Sequence, residues 1–388
     1  MSISMNRRNW LKSSLMTLGT MAVAPAIALP RSTSHKSGTS IIKEVIPSFS
    51  IDETRIMARL SANENPYGPS PKVIEAVSSS ISAGNRYGHS DAATLIKMIS
   101  EKEGVSPEHI MLGPGSSDLL EKTAFVRFME GKGNIVSADP AYMSIIQTAE
   151  SLGATWKPVL LTSDYAHDLK AMEKAVDQDT KLVYICNPNN PTGTITDPVA
   201  LKAFCSKVSK QTPVFVDEAY LEFLDKPEDH SMVGLIAEGN DVIVARTFSK
   251  LHGMAGLRIG YIVAQPERIK SITSKVRSTM GLCVTSLKGA IASLQETAFL
   301  ESCKSRNAEC RSYITEEITA LGYELIPSHT SFLLFPLNMD GETFMKGMYA
   351  GGVGIRVFTI NDQPYCRVSM GTMEEMKLFI DTVKSVSA

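Results

Sequence analysis

The sequence predicts an α/β protein: a mostly parallel sheet covered by helices on both faces, followed by a smaller α+β domain. Three observations carry that expectation. From about residue 70, short apolar runs alternate with amphipathic stretches of helical period, the pattern of strand–helix–strand units. The runs are apolar nearly throughout rather than at every second residue, as strands covered on both faces require. From about residue 285 the pattern changes to a helical stretch, two strand-like runs and a final helix.

The opening residues stand outside that fold. Asn6-Arg7-Arg8-Asn9-Trp10-Leu11-Lys12 precedes a weakly apolar run over 15–29, and Ala26-Ile27-Ala28 offers a small-x-small cleavage site. This resembles a bacterial twin-arginine export signal over 1–28; the alternative is an arginine-rich start with no targeting role. Cleavage after Ala28 would remove three basic residues and no acid, taking the formal charge from −2 to −5. The expected location is periplasmic or exported, and cytoplasmic if the signal is not used. Residues 29–60 read as an arm or linker, with a Ser/Thr/Gly/Lys-rich tether over 31–42.

The large domain is expected over 61–284. Its strands are the runs at 110–112, 134–136, 182–186, 214–216, 242–244 and 261–263. The smaller domain, 285–388, carries strands at 331–335 and 366–369. Its last helix has Met376, Phe379, Ile380 and Val383 at helical spacing, which gives one apolar face. With 43% hydrophobic and 21% charged residues, the composition is that of an ordinary globular protein. Nothing in the charge points to nucleic acid or an anionic membrane surface. Beyond the leader no stretch approaches the ~20 apolar residues of a membrane span, so small-molecule substrates are expected. Six scattered cysteines without a CxxC pair read as free and buried.

Five of the strand runs lead straight into polar or Gly-rich loops: 113–118, 139–142, 187–193, 217–220 and 247–250. Ligands of open α/β sheets bind at the carboxyl ends of the strands, so these loops should converge on one crevice. The strongest chemical signal among them is Thr247-Phe248-Ser249-Lys250, continuing through Arg258 to Tyr261. Burial and neighbouring positive charge would favour the neutral amine of Lys250, the form that attacks an aldehyde. Thr247, Ser249 and Arg258 could hold a phosphate beside it. Read alone, Lys250 could equally be a surface lysine in a mobile loop.

The segment resembles the cofactor-lysine region of fold-type I aminotransferases, and most closely the histidinol-phosphate aminotransferase family. The likeness runs in the family's order from Ala62-Asn63-Glu64-Asn65-Pro66-Tyr67-Gly68 to Arg367-Val368-Ser369-Met370-Gly371-Thr372. It implies pyridoxal phosphate as cofactor, joined covalently to Lys250. It implies Asp217 as the acid paired with the pyridine nitrogen, Tyr220 and Asn190 as donors to the ring hydroxyl oxygen, and Tyr142 as the aromatic stacked on the ring. Ser116 and Ser117, after Gly113-Pro114-Gly115 and before a helical run, match the phosphate loop, where backbone N–H groups and the helix dipole favour an anion. Tyr87 matches a tyrosine that reaches the phosphate from the partner subunit, implying a homodimer. Arg367 matches the arginine that clamps the substrate's acidic end, with Arg356 assisting and Asn63 on the substrate-side loop.

The implied reaction transfers an amino group between a small amino donor and a 2-oxo acid. A lyase or decarboxylase on the same fold is the alternative, because it needs the same lysine and acid. The sequence also departs from the family in places. Ser116-Ser117-Asp118 stands where Ser-Asp-Glu is commoner. Pro47-Ser48-Phe49 stands where the family has Pro-Tyr, and that tyrosine helps hold the phosphate of histidinol phosphate. Phenylalanine has no hydroxyl to offer. Together with the export signal, this counts against histidinol phosphate as the substrate.

Overall fold

The computed structural model describes residues 40–387; the arginine-rich leader, its cleavage site and most of the tether lie outside them. The arm supplies β1 (Ile42–Glu44) and β2 (Ala58–Arg59). The large sheet contains β3 (Ile110–Gly113), β4 (Asn134–Asp139), β5 (Thr155–Leu160), β6 (Thr180–Cys186), β7 (Val214–Asp217), β8 (Val242–Thr247) and β9 (Gly260–Val263). Their order is β3-β9-β8-β7-β6-β4-β5. β9 runs antiparallel to both neighbours, and the pairings from β8 across to β5 are parallel.

The apolar runs form central strands because both faces need covering. Val183 and Ile185 of β6, with Val242 and Val244 of β8, enter the core on one face; Leu182, Tyr184, Ile243 and Ala245 enter the core on the other. Each such side chain contributes about 1.5–3 kcal/mol when fully buried. β5 is a strand the pattern did not reveal. Lys157 and Pro158 interrupt its apolar residues, which an edge position tolerates. Trp156 anchors it by donating to the Ser137 hydroxyl at 2.8 Å.

The C-terminal strands are β10 (Phe332–Pro336), β11 (Val353–Gly354), β12 (Arg356–Ile360) and β13 (Gln363–Ser369). An antiparallel sheet runs β1-β12-β13-β10, and β2 pairs in parallel with β11. The last helix, Met373–Ser387, buries Met376, Phe379, Ile380 and Val383.

Three expectations need correction. The tether does not continue through residue 42, and the arm is not a free linker. The Ser40 hydroxyl and Ile41 N–H both donate to Asp139, at 2.7 and 2.8 Å, and β1 and β2 are built into the C-terminal sheets. The boundary at 284/285 falls at the start of the helix Val284–Ser293, whose Leu287 and Ala290 belong to the large-sheet core. The C-terminal core begins within the next helix, Thr297–Ala320, at Cys310, Ile314 and Ile318. All six cysteines are free, but Cys283 is exposed while the other five are buried. No helix among the described residues is long and apolar enough to cross a membrane.

Candidate active site

β3, β4, β6, β7 and β8 point the same way, so their carboxyl ends share one edge of the sheet. The five loops that follow them meet there around a cavity of about 220 Å³. Ser116, Tyr142, Asn190, Asp217 and Lys250, one from each loop, face into it.

Asp217 ends β7 and is buried. Its carboxylate accepts the Ala219 N–H at 3.1 Å, and the Tyr184 hydroxyl lies 3.5 Å away. Burial outweighs these donors and the nearby Lys250, raising its pKa to about 6. Lys250 follows β8 and donates from Nζ to the Asn63 carbonyl at 2.8 Å, 5.4 Å from the centre of the Tyr220 ring. Burial, and then Arg367, lower its pKa to about 8. The cavity therefore holds an acid and an amine, each displaced toward its neutral form. A protonated heterocyclic nitrogen would give Asp217 the cation it lacks, and an aldehyde would engage the neutral amine.

A second corner suits a phosphate. Gly115, at φ +86°, precedes the helix Ser116–Phe128, whose first N–H groups have no partner within the helix. A Cβ on Gly115 would lie 2.3 Å from Arg258 Nη2, so only glycine lets the guanidinium close on this turn. Arg258 itself adopts left-handed backbone, φ +52°, a conformation unfavourable for an L residue. Its Nη1 donates to the Ser249 hydroxyl at 3.2 Å and its Nη2 to the Pro114 carbonyl at 3.2 Å. An arginine, a hydroxyl and a helix N-terminus together fit a phosphate.

Arg367, on β13, is buried and also lines the cavity. Nη1 donates to Asn190 Oδ1 at 2.9 Å and Nη2 to the Ser61 carbonyl at 3.3 Å, while Nε has no hydrogen-bond partner. The guanidinium lies 5.5 and 5.4 Å from the Phe332 and Phe358 rings, and burial lowers its pKa to about 10. Asn63 ties the wall together. It donates to the Tyr220 hydroxyl at 2.8 Å and accepts from the Ser369 hydroxyl at 2.7 Å. Arg356 and Arg367 line both this cavity and a wider mouth of about 720 Å³.

Some expected residues stand elsewhere. The Thr247 hydroxyl accepts the Ser249 N–H at 3.1 Å, which shapes the turn, and Thr247 does not line the cavity. Ser249 and Arg258 do not line the cavity itself; they stand at the phosphate corner, where Arg258 donates to the Pro114 carbonyl. Tyr87 is 74% exposed, beside His89, and does not reach the cavity of its own chain. Ser117 does line the cavity, and its hydroxyl lies 3.0 Å from that of Tyr142. Sequence reasoning left Tyr184 and Ser369 without roles. Tyr184 could have been suspected from its hydroxyl within an otherwise apolar strand, and Ser369 from its place two residues after Arg367.

The family signature described as aminotransferase class I and II matches residues 55–383. Histidinol-phosphate aminotransferase 1 of Cupriavidus pinatubonensis is 35% identical over 343 residues, covering 87% of this chain and 90% of its own. Histidinol-phosphate aminotransferase of Brevibacillus brevis is 33% identical over 346 residues, covering 89% and 93%. The crystal structure of histidinol-phosphate aminotransferase from Sinorhizobium meliloti, in complex with pyridoxal-5'-phosphate, superposes with a TM-score of 0.78 at 27% identity, covering 85% of this chain and 91% of the other.

Proposed function

The chain belongs to the aminotransferase class I and II family, and on that premise we propose that its strand-end loops hold pyridoxal phosphate with Lys250 as the covalent attachment. The protein is a pyridoxal-phosphate-dependent aminotransferase that moves an amino group between a small amino donor and a 2-oxo acid. Once bound, the cofactor supplies an aldehyde that captures amino groups and a ring that draws electrons from the substrate α-carbon. The supporting observation is the shared cavity of Lys250 and Asp217, with burial displacing both toward the neutral form.

Each neighbour then has a task. Asp217 holds the proton on the ring nitrogen; Tyr220 and Asn190 donate toward the ring hydroxyl oxygen; Tyr142 packs on the ring face. Ser116, Ser117, Ser249 and Arg258 hold the phosphate, and Thr247 acts through Ser249 by fixing the turn. With the cofactor bound, Lys250 Nζ would take the proton from the substrate α-carbon as base and deliver it as acid to the carbon that had carried the aldehyde. Arg367 receives the substrate's anionic end, with Arg356 beside it and Asn63 orienting the wall. Phe49, in place of the family's tyrosine, packs edge-on against Tyr349 with ring centres 6.0 Å apart. It brings no hydroxyl to a substrate phosphate.

The half-reaction tests this reading. An amino donor alone should abolish the visible absorbance of the loaded enzyme, and a 2-oxo acid should restore it. A spectrum that returns to its starting form without any 2-oxo acid, with carbon dioxide or an eliminated group released, would favour the lyase alternative. The exposure of Tyr87 motivates a homodimer in which it reaches the partner's cofactor phosphate, and the paired arginines motivate export. Fractionated cells should hold dimers of the processed chain in the periplasm; unprocessed monomers in the cytoplasm would reject both.

A further inference from the structure

The sheet register sets three charges in a row at the mouth. Arg356 on β12 and Arg367 on β13 are direct cross-strand partners, an arrangement in which like charges repel. β1 supplies the relief. Glu44 pairs in register with Phe358, and its Oε1 lies 3.3 Å from Arg356 Nε. Arg367 has only neutral partners, the Asn190 side chain and the Ser61 carbonyl. Among the described residues no carboxylate comes within ion-pair distance of it.

The charged groups lining the mouth are Glu44, Glu121, Arg356 and Arg367. Glu121 accepts from the Ser144 hydroxyl at 2.9 Å. Two acids thus face two arginines, and Arg356 already has an acid beside it, in a pair whose side chains are 45% and 41% exposed. The rest of the wall mixes apolar groups such as Ile42, Met143 and Phe358 with polar ones such as Gln147, Thr148 and Ser151. An anion entering the mouth is held best where a cation is left to meet it. One carboxylate finds that cation in Arg367. A second carboxylate, or the second charge of a phosphate monoester, meets Arg356 already paired and Glu44 repelling it.

We propose that Glu44, carried into the mouth by the arm strand, is a specificity-determining residue that reserves the site for amino acids with one carboxylate and an uncharged side chain. This rests on the reading of Arg367 as the group that receives the substrate's anionic end. The closure is built from both ends of the chain, and the pairing of β1 with β12 keeps Glu44 in place.

Unreactive anions test it by calorimetry on the loaded enzyme: 3-phenylpropionate with one charge, glutarate with two carboxylates, and phenyl phosphate. The wild type should bind 3-phenylpropionate most tightly. Glu44→Gln should free Arg356 and shift the ratio of dissociation constants at least tenfold toward glutarate and phenyl phosphate. Arg356→Leu gives a second reading: Glu44, left without its partner, should turn to Arg367 and weaken all three anions. Wild-type preference for glutarate or phenyl phosphate would overturn the proposal. So would an unchanged ratio in Glu44→Gln while Arg367→Met abolishes binding of all three. If instead Arg367→Met leaves 3-phenylpropionate binding intact, the fault lies with the assignment of Arg367 and not with Glu44.

Discussion

Replacing Lys250 with alanine should reduce transamination by roughly 10⁴-fold or more, because it removes both the covalent anchor and the proton-transfer group. The visible absorbance that arises when the cofactor is joined to the lysine should vanish, while the cofactor itself can still bind through the phosphate corner. The protein should remain folded, since the amine contributes one hydrogen bond, to the Asn63 carbonyl. The pH dependence of the wild type provides an independent check. A lysine amine reacts only when neutral, and burial brings Lys250 down to about 8. At pH 7 about one amine in ten is then neutral, roughly 300-fold more than for an unshifted lysine. The rate at which the apoprotein takes up pyridoxal phosphate should rise with pH and level off above about 8. A rate still climbing at pH 10, or a normal spectrum in Lys250→Ala, would remove Lys250 from its role.

Asp217→Asn should cut turnover by roughly 10²–10³-fold, the usual size of a lost preorganised electrostatic contact, and weaken cofactor binding. Its effect on the apoprotein should have the opposite sign. The carboxyl pKa is raised by burial to about 6, from 3.8 in the unfolded chain. A raised carboxyl pKa means that the folded state holds the proton more tightly. The stability linked to it is present below 3.8, falls between 3.8 and about 6, and is absent above that. The wild-type apoprotein therefore carries a buried charge at pH 8 that costs up to about 3 kcal/mol, and asparagine removes it. Calorimetry should show Asp217→Asn melting a few degrees higher than wild type at pH 8 without cofactor, and no higher at pH 4. Lower apo stability together with undiminished turnover would refute the assignment.

Much of this architecture is legible in the sequence. A run such as Leu182 to Cys186 can satisfy its side chains only between two helical layers, so six of the large-sheet strands announced themselves. β5 did not, because Lys157 and Pro158 suit an edge strand and break the apolar pattern. The arm is hidden for a related reason. Ser40 to Glu44 is short, and its order comes from partners that its own composition does not disclose, Asp139 and β12. Thr247 was expected at the phosphate because it lies in the motif, yet its hydroxyl is engaged with the Ser249 N–H.

The sequence by itself determined which reactive groups stand at the strand ends and in what order, because strand, turn and following residue are local and the parallel topology brings such ends to one edge. Only the tertiary structure decided how those groups are charged and which remain unpaired. Burial displaces Asp217 and Lys250 toward neutrality, and Glu44, far from it in sequence, pairs with Arg356, while Arg367 has no carboxylate partner among the described residues. Desolvation and ion pairing depend on what packs alongside a group in space, and neighbours along the chain do not reveal that.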